Sequence, residues 1–360
     1  MGEYSQFISE KRRSVPTPKS LADENGVCVF GTFESEFESM ELTRLKKPTR
    51  APQFMNRLKL TLWEAVEVNL ADGVLLAAVC DMGLFGKMFC VFYDKRTKKV
   101  YNWDVNLKSK AAVIAPNLLR GSVAEAKSGG SFLKYINDFG NGKCRLSGSH
   151  TAKDGRKIDY DFALTRLSRP CVVSIPFGEN RPLYSQKDFF KADGSLTFNG
   201  ERFFSDGDSV AVVDDHRGYY PRRAHYDWVT TMGRCETDGE RKFLACNLTR
   251  NQSVDQEAYN ENLIWLEGES SLLPPVKFTR VPECRNVRHG AVWLVRDEHD
   301  MVNLTFRVFG LNATVLHALA VNIDYYIAFG ELEGYVRGED GKKYLLDGMT
   351  GIGEDKTLLL

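Results

Sequence analysis

The 360-residue sequence has no surplus of charge: 48 Lys plus Arg are matched by 48 Asp plus Glu. A general nucleic-acid binder draws on excess positive charge to displace counterions from phosphates, so the balance argues against that class. No two of the eight cysteines (Cys28, Cys80, Cys90, Cys144, Cys171, Cys235, Cys246 and Cys284) form a CxxC, and none pairs with a histidine at zinc spacing. The six histidines form no HExxH, so no metal is expected. There is no GxSxG nucleophile elbow. The glycines of Gly348-Met349-Thr350-Gly351-Ile352-Gly353 lack the strand–loop–helix context of a phosphate loop, and no cofactor is expected. Met1 to Arg13 has no apolar leader segment, and Gln6 stands where myristoylation needs Ser or Thr. The most apolar stretch, Ala313 to Phe329, is broken by His317 and Asp324, so no transmembrane segment is expected. Scattered thiols without a leader point to the cytosol, where the Asn247-Leu248-Thr249 and Asn303-Leu304-Thr305 sequons have no use.

What is present is a large apolar and aromatic complement: 43% hydrophobic residues, with 22 Phe and 14 Tyr. Large aromatics fill β cores and line apolar pockets. Residues 1–50, with Lys11-Arg12-Arg13, Pro16, Pro18 and Lys46-Lys47-Pro48, read as an irregular arm draped over the first lobe. From Asn56 the period is two: Leu58, Leu60 and Leu62 alternate with Lys59 and Thr61, then Val74–Cys80 forms an apolar run. Met88–Tyr93 and Val100–Trp103 flank a polar turn. Asp-Gly pairs at 154–155, 238–239 and 340–341 precede further apolar runs. Such pairs suit tight hairpins, so the class is all-β with minor helix. Phe132–Phe139 and Ser185–Phe190 are the best helical patterns. A unit of strand, turn, strand, strand recurs at Trp63/Asp72-Gly73 and at Trp228/Asp238-Gly239, which favours two related lobes, 51–190 and 191–360.

The densest polar stretch, Asp214 to Trp228, follows the run Val210–Val213 and places Asp214 and Asp215 at a strand end. If His225–Thr231 is a strand, Tyr226 and Trp228 share one face, and Arg223, His225 and Asp227 the other. A carboxylate beside Arg and His can be tuned as an acid or base. A loop closed by ion pairs, with Trp228 in the core, accounts for the same residues and is the commoner outcome. Asn247, at the end of the strand Phe243–Cys246, and Glu261-Asn262 could orient a ligand or close turns. Glu354 reads as a strand-end carboxylate.

The stretches Gly218–Gly233, Leu244–Leu248, Glu261–Gly268, Trp293 and Val302–Phe306, together with Trp63–Asp94, resemble the family called domain of unknown function 2804 over roughly residues 56–360. That family is distantly similar to the lipocalin-like (calycin) pair in AttH proteins and carotenoid hydratase. The resemblance implies two tandem lipocalin-like antiparallel β barrels or curled sheets. It also implies relatives acting on polyenes or isoprenoids, as hydratases, cyclases and pericyclic enzymes. The family often carries Trp two residues before position 228, where this sequence has Tyr226. The expected function is binding of an apolar small molecule, lipid or isoprenoid-like, with or without cofactor-free acid catalysis on an alkene. In the catalytic form Asp215 donates a proton and His225 or Arg222 sets its pKa. Trp228, Tyr226 and Tyr219 face the developing cation, and Asn247 and Glu261 orient the ligand. The alternative is a non-catalytic structural or interaction module.

Overall fold

The computed structural model describes residues 11–237, 239–282, 290–318 and 321–359. Asp238, Cys284 and His289 lie outside the described residues. Strand makes up 62% and helix 3%, so the class is all-β. The first sheet contains β1 (Ser14–Val15), β2 (Gly31–Phe33), β3 (Thr61–Asn69), β4 (Gly73–Asp81), β5 (Phe85–Asp94), β6 (Lys99–Lys108), β7 (Ala112–Val113), β8 (Ser122–Ser128), β9 (Ser131–Asp138), β10 (Lys143–Thr151), β11 (Lys157–Arg166), β12 (Cys171–Pro176), β13 (Pro182–Phe198), β14 (Glu201–Phe204) and β15 (Val210–Gly218). The second contains β16 (Arg223–Thr237), β17 (Glu240–Arg250), β18 (Leu263–Leu266), β19 (Glu269–Leu272), β20 (Lys277–Val281), β21 (Val292–Arg296), β22 (Val302–Ala318), β23 (Val321–Arg337), β24 (Lys343–Leu345) and β25 (Thr350–Leu359).

Both sheets share one plan. The first is ordered β6-β5-β4-β3-β15-β13-β11-β10-β9-β8-β7 and the second β19-β18-β17-β16-β25-β23-β22-β21-β20. In each, the strand that opens the meander pairs antiparallel with the one that closes it: β3 with β15, and β16 with β25. The first sheet curls into a nearly closed barrel and the second into a half-barrel. The repeat around Trp63 and Trp228 corresponds to β3-β4-β5 and β16-β17-β18, which hold equivalent places in the two sheets. The sheet changes at residues 219–222, and the expected lobe boundary near residue 190 falls inside β13. Among the described residues no helix is long and apolar enough to cross a membrane.

Three apolar layers result. One fills the first barrel and includes Val66, Leu75, Phe92, Leu133, Phe162 and Phe190. Arm residues Leu21, Phe33, Phe37 and Leu45 are buried in it too. The third lies in the concave face of the half-barrel, around Trp293, Phe306 and Leu332. Between them, the outer face of β3, β4, β5 and β13 packs on the outer face of β16, β17, β18 and β25. Leu76, Val91 and Phe189 there meet Met232, Trp265 and Ile352. Strand β4 is buried at every position because both its faces are covered, so Val74–Cys80 reads as unbroken apolar sequence rather than an alternation.

The Asp94–Lys99 and Asp154-Gly155 hairpins form as expected, joining β5 to β6 and β10 to β11. Three local expectations do not hold. Phe132–Phe139 lies in β9 up to Asp138, alternating buried and open with Leu133 and Tyr135 inward. Ser185–Phe190 lies in β13 with both faces covered, which erases the period that separates strand from helix. Asn56–Lys59 is a single helical turn, and the strand begins at Thr61.

Candidate functional site between the two sheets

The middle layer is apolar except at its centre, where charged side chains from both sheets meet. Strands β13 and β15 supply two neighbouring cross-strand pairs on that face, Lys187 opposite Asp214 and Ser185 opposite His216. Lys187 is 1% exposed, and its Nζ donates to Asp214 Oδ2 at 2.6 Å and lies 3.4 Å from Glu261 Oε2. Ser185 Oγ donates to Glu261 Oε2 at 2.7 Å. His216 Nε2 is 2.8 Å from Ser185 Oγ and 3.2 Å from Asp214 Oδ1. A Ser-His-Asp relay uses one ring nitrogen for the serine and the other for the carboxylate. Here Nε2 faces both, so this is not such a relay.

The second sheet supplies the facing wall. Tyr226, Lys356 and Tyr325 stand side by side across β16, β25 and β23, and Trp228 stands beside Glu354 in the next row. Tyr226 and Tyr325 donate to the two oxygens of Glu354 at 2.9 and 2.5 Å. Lys356 Nζ sits 5.0, 5.7 and 4.5 Å from the ring centres of Trp63, Tyr226 and Tyr325. Lys187 Nζ is 5.7 Å from the Trp228 ring. These aromatic faces therefore already border two ammonium groups. Trp228 Nε1 donates to Asn247 Oδ1 at 2.6 Å, and Asn247 Nδ2 donates to the Glu261 carbonyl at 2.8 Å.

Burial divides the acids by partner. Burial alone would raise Glu261, but Lys187, His216 and Ser185 outweigh it and hold its carboxyl well below the usual range. Burial would lower Lys187, yet Asp214 and Glu261 raise it, so it is a fixed cation. Glu67, on β3, is only partly compensated, by Lys187 and a backbone hydrogen bond. Burial and then the charge of Asp214 push its carboxyl well above the usual 4.5, and its Oε2 is buried without a hydrogen-bond partner. Burial also raises Glu354, against the opposing pull of Tyr325, Lys356 and Tyr226. One face of the layer thus carries a carboxyl group whose burial favours its protonated form and the other an aromatic wall beside a second buried carboxyl group, an arrangement suited to moving a proton.

The residues singled out from sequence divide between places. Tyr226, Trp228, Asn247 and Glu261 meet in the middle layer. Asp215 points the other way, into the first barrel, where Arg217 holds both its oxygens at 2.7 and 2.8 Å. Tyr219 is also on that side, donating to the Leu42 carbonyl at 3.1 Å. His225 is exposed on the concave face of the second sheet, near Asp227 at 3.3 Å, and Arg222 is exposed on the connection between sheets. Asp215, His225 and Arg222 share no hydrogen bond. Asp214 and Asp215 are not at a strand end but within β15; Asn247 lies inside β17 and Glu354 inside β25. His225, Asp227 and Asp355 bring ligand atoms within 4.8 Å of one another, but Arg280 Nη2 already stands between the two carboxylates, 2.5 Å from Asp227 and 2.9 Å from Asp355. Lys187, Ser185, Glu67 and Tyr325 were not found from sequence. Their one signal was polar residues inside otherwise apolar strands.

Residues 12–358 match the family described as "Domain of unknown function (DUF2804)". The chain belongs to that family. Two solved structures share this DUF2804 chain's fold. Kievitone hydratase from Nectria haematococca is 13% identical with a TM-score of 0.51, covering 96% of this chain and 98% of its own. CghA with Sch210972 is 9% identical with a TM-score of 0.51, covering 84% and 89%. The DUF2804 chain thus has the tandem lipocalin-like architecture that the resemblance implies. No curated protein matches it.

Proposed function

We propose that the protein binds an apolar small molecule, of lipid or isoprenoid kind, between its two sheets and carries out cofactor-free acid–base chemistry on it. The observation that carries this reading is the placement of Glu67, a buried carboxyl with one oxygen free of any hydrogen bond and a pKa pushed upward by burial, in the same layer as the aromatic wall around Lys356. Stability alone gives no reason to collect such groups there. Well-packed apolar residues would serve a structural layer as well as buried ion pairs or better. In the reaction Glu67 transfers its proton to one alkene carbon. The positive charge left on the other carbon faces the rings of Tyr226 and Trp228. Addition of water and return of its proton to Glu67 gives hydration; attack by a second double bond closes a ring and moves the positive charge, which is discharged when a neighbouring proton returns to Glu67; loss of a neighbouring proton to Glu67 without ring closure gives isomerisation. The kievitone hydratase name is in keeping with the first outcome. Trp63, Tyr220, Tyr226 and His216 are half-buried, and on this reading a substrate enters the layer past them. Seven buried thiols without disulfides agree with the cytosol as its setting.

One observation favours a second reading. Two cavities among the described residues, about 350 and 280 Å³, are lined by other residues, and the central cluster lies outside both. In that reading the charges lock the two sheets in register and no reaction occurs.

Glu67→Gln separates the two. The amide has the shape of the neutral acid but cannot supply its proton. Native protein would be incubated with a panel of polyenes and isoprenoids and the products read by mass spectrometry. Turnover by the native chain, lost in a Glu67→Gln protein that melts normally, is the expected result. No product from any member of the panel, and no small molecule copurifying with native protein, would leave the structural reading.

A further inference from the structure

The larger cavity lies away from the central cluster, where the arm meets β19 and the start of β12. Arg12, Arg13, Arg169, Glu34, Ser270 and Glu339 supply its polar lining. Arg12 is 3% exposed, which is rare for arginine unless paired. Its Nε donates to Thr32 Oγ1 at 3.0 Å, and its Nη1 to Asn260 Oδ1 at 2.6 Å and to the carbonyls of Asn262 and Leu273 at 2.8 and 3.3 Å. All four acceptors are neutral, and Nη2 has no partner. Burial lowers this guanidinium to about 10, because Cys171, Glu261 and Glu339 only partly offset the lost solvation. Arg13 and Arg169 are exposed at the same cavity and make no ion pair among the described residues. Of the two carboxylates in the lining, Glu339 is engaged by the Leu272 amide at 3.0 Å.

Three arginines stand against two glutamates around one cavity, with no salt bridge made by any of the three among the described residues, and guanidinium forks match planar or tetrahedral oxyanions. We propose that this cavity is an anion site, taking a compact phosphate- or carboxylate-bearing molecule, separate from the site between the sheets. The bound anion sits against Arg13 and Arg169 and completes the counter-charge that Glu261 and Glu339 give Arg12 only in part. Because Arg12 also grips Asn260 and Asn262, either side of Glu261, occupation braces the segment that presents Glu261 to Lys187.

The test uses the full chain with inorganic phosphate and with succinate, each against sodium chloride at equal ionic strength, read by calorimetry and thermal melting. Saturable binding of at least one anion, with a raised melting temperature, is expected, and the better of the two assigns the head group. Loss of a charged hydrogen bond costs about tenfold or more in affinity, so Arg169→Gln should weaken binding by that factor. Arg169 is exposed, so this variant folds even where an Arg12 variant does not. Glu34→Gln removes a repelling charge and should tighten binding. Identical behaviour in phosphate, succinate and chloride would overturn the site, as would equal affinity in native and Arg169→Gln protein.

Discussion

Asp214 and Asp215 are neighbours in sequence and belong to different interiors. Successive side chains of a strand point to opposite faces, so a shift of one position moves a carboxylate from the layer between the sheets into the first barrel. The sequence showed the pair but not which member faced the aromatic wall, because Val210–Val213 is apolar on both faces and carries no alternation to count from. Asp215 sits with Arg217 as a buried, doubly bonded ion pair. Asp215→Asn should therefore cost about 3–5 kcal/mol in denaturant unfolding and leave ligand binding between the sheets unchanged. Lys187→Met should cost a similar ~3–5 kcal/mol, since it strands Asp214 and Glu261 without their cation. Glu67 behaves in the opposite sense. Its folded pKa lies above 4.5, so the native state keeps a proton that the unfolded chain releases. Its contribution to stability is full below pH 4.5 and is lost as pH rises through the folded value. Melts of Glu67→Gln and native protein across pH should show the variant gaining on the native chain as pH climbs from 4.5.

Among the elements, β25 explains a pattern that sequence alone left without a role. Its glycines at 351 and 353 imitate a phosphate loop, but a side chain at Gly353 would meet Phe306 and Trp293 at 2.8 Å, and one at Gly351 would meet Phe306 at 2.8 Å. Both are needed so that the half-barrel can seat its aromatic core against the strand. Gly353→Ala should thus destabilise by about 1–3 kcal/mol through overpacking, with the melt of the second lobe as readout. The same strand carries Glu354 and Lys356 toward the other sheet. The face assignment for β16 was legible, because Tyr226 and Trp228 alternate with His225 and Asp227 in a strand with one face against each layer. The faces of β13 were not, because Leu183–Phe190 is buried throughout and Lys187 gives no exposed register mark.

At the scale of the whole molecule, hairpin turns and the repeated Trp63 and Trp228 units were enough for two tandem β lobes. What they could not give was the contact between lobes, since nothing local marks which outer faces meet. The seven described cysteines are all buried and free, with burial raising Cys28, Cys80, Cys171 and Cys246 to about 12. Native protein should react slowly with a thiol reagent and should release these seven thiols only on denaturation without reductant. The pairing of each sheet's opening strand with its closing strand also has a consequence for how the protein is made. While the ribosome is still working, β3 waits for β15, and β16 waits for β25, with their pairing edges open. Contacts so distant along the chain form slowly and leave strand edges open to wrong partners. The second lobe is most exposed to this, because its seam and two of the groups facing the first sheet, Glu354 and Lys356, arrive together on β25, the last strand of the second sheet in chain order. A nascent chain stalled before Thr350 would hold the first sheet's seam but not the second's, and would be a client for chaperones.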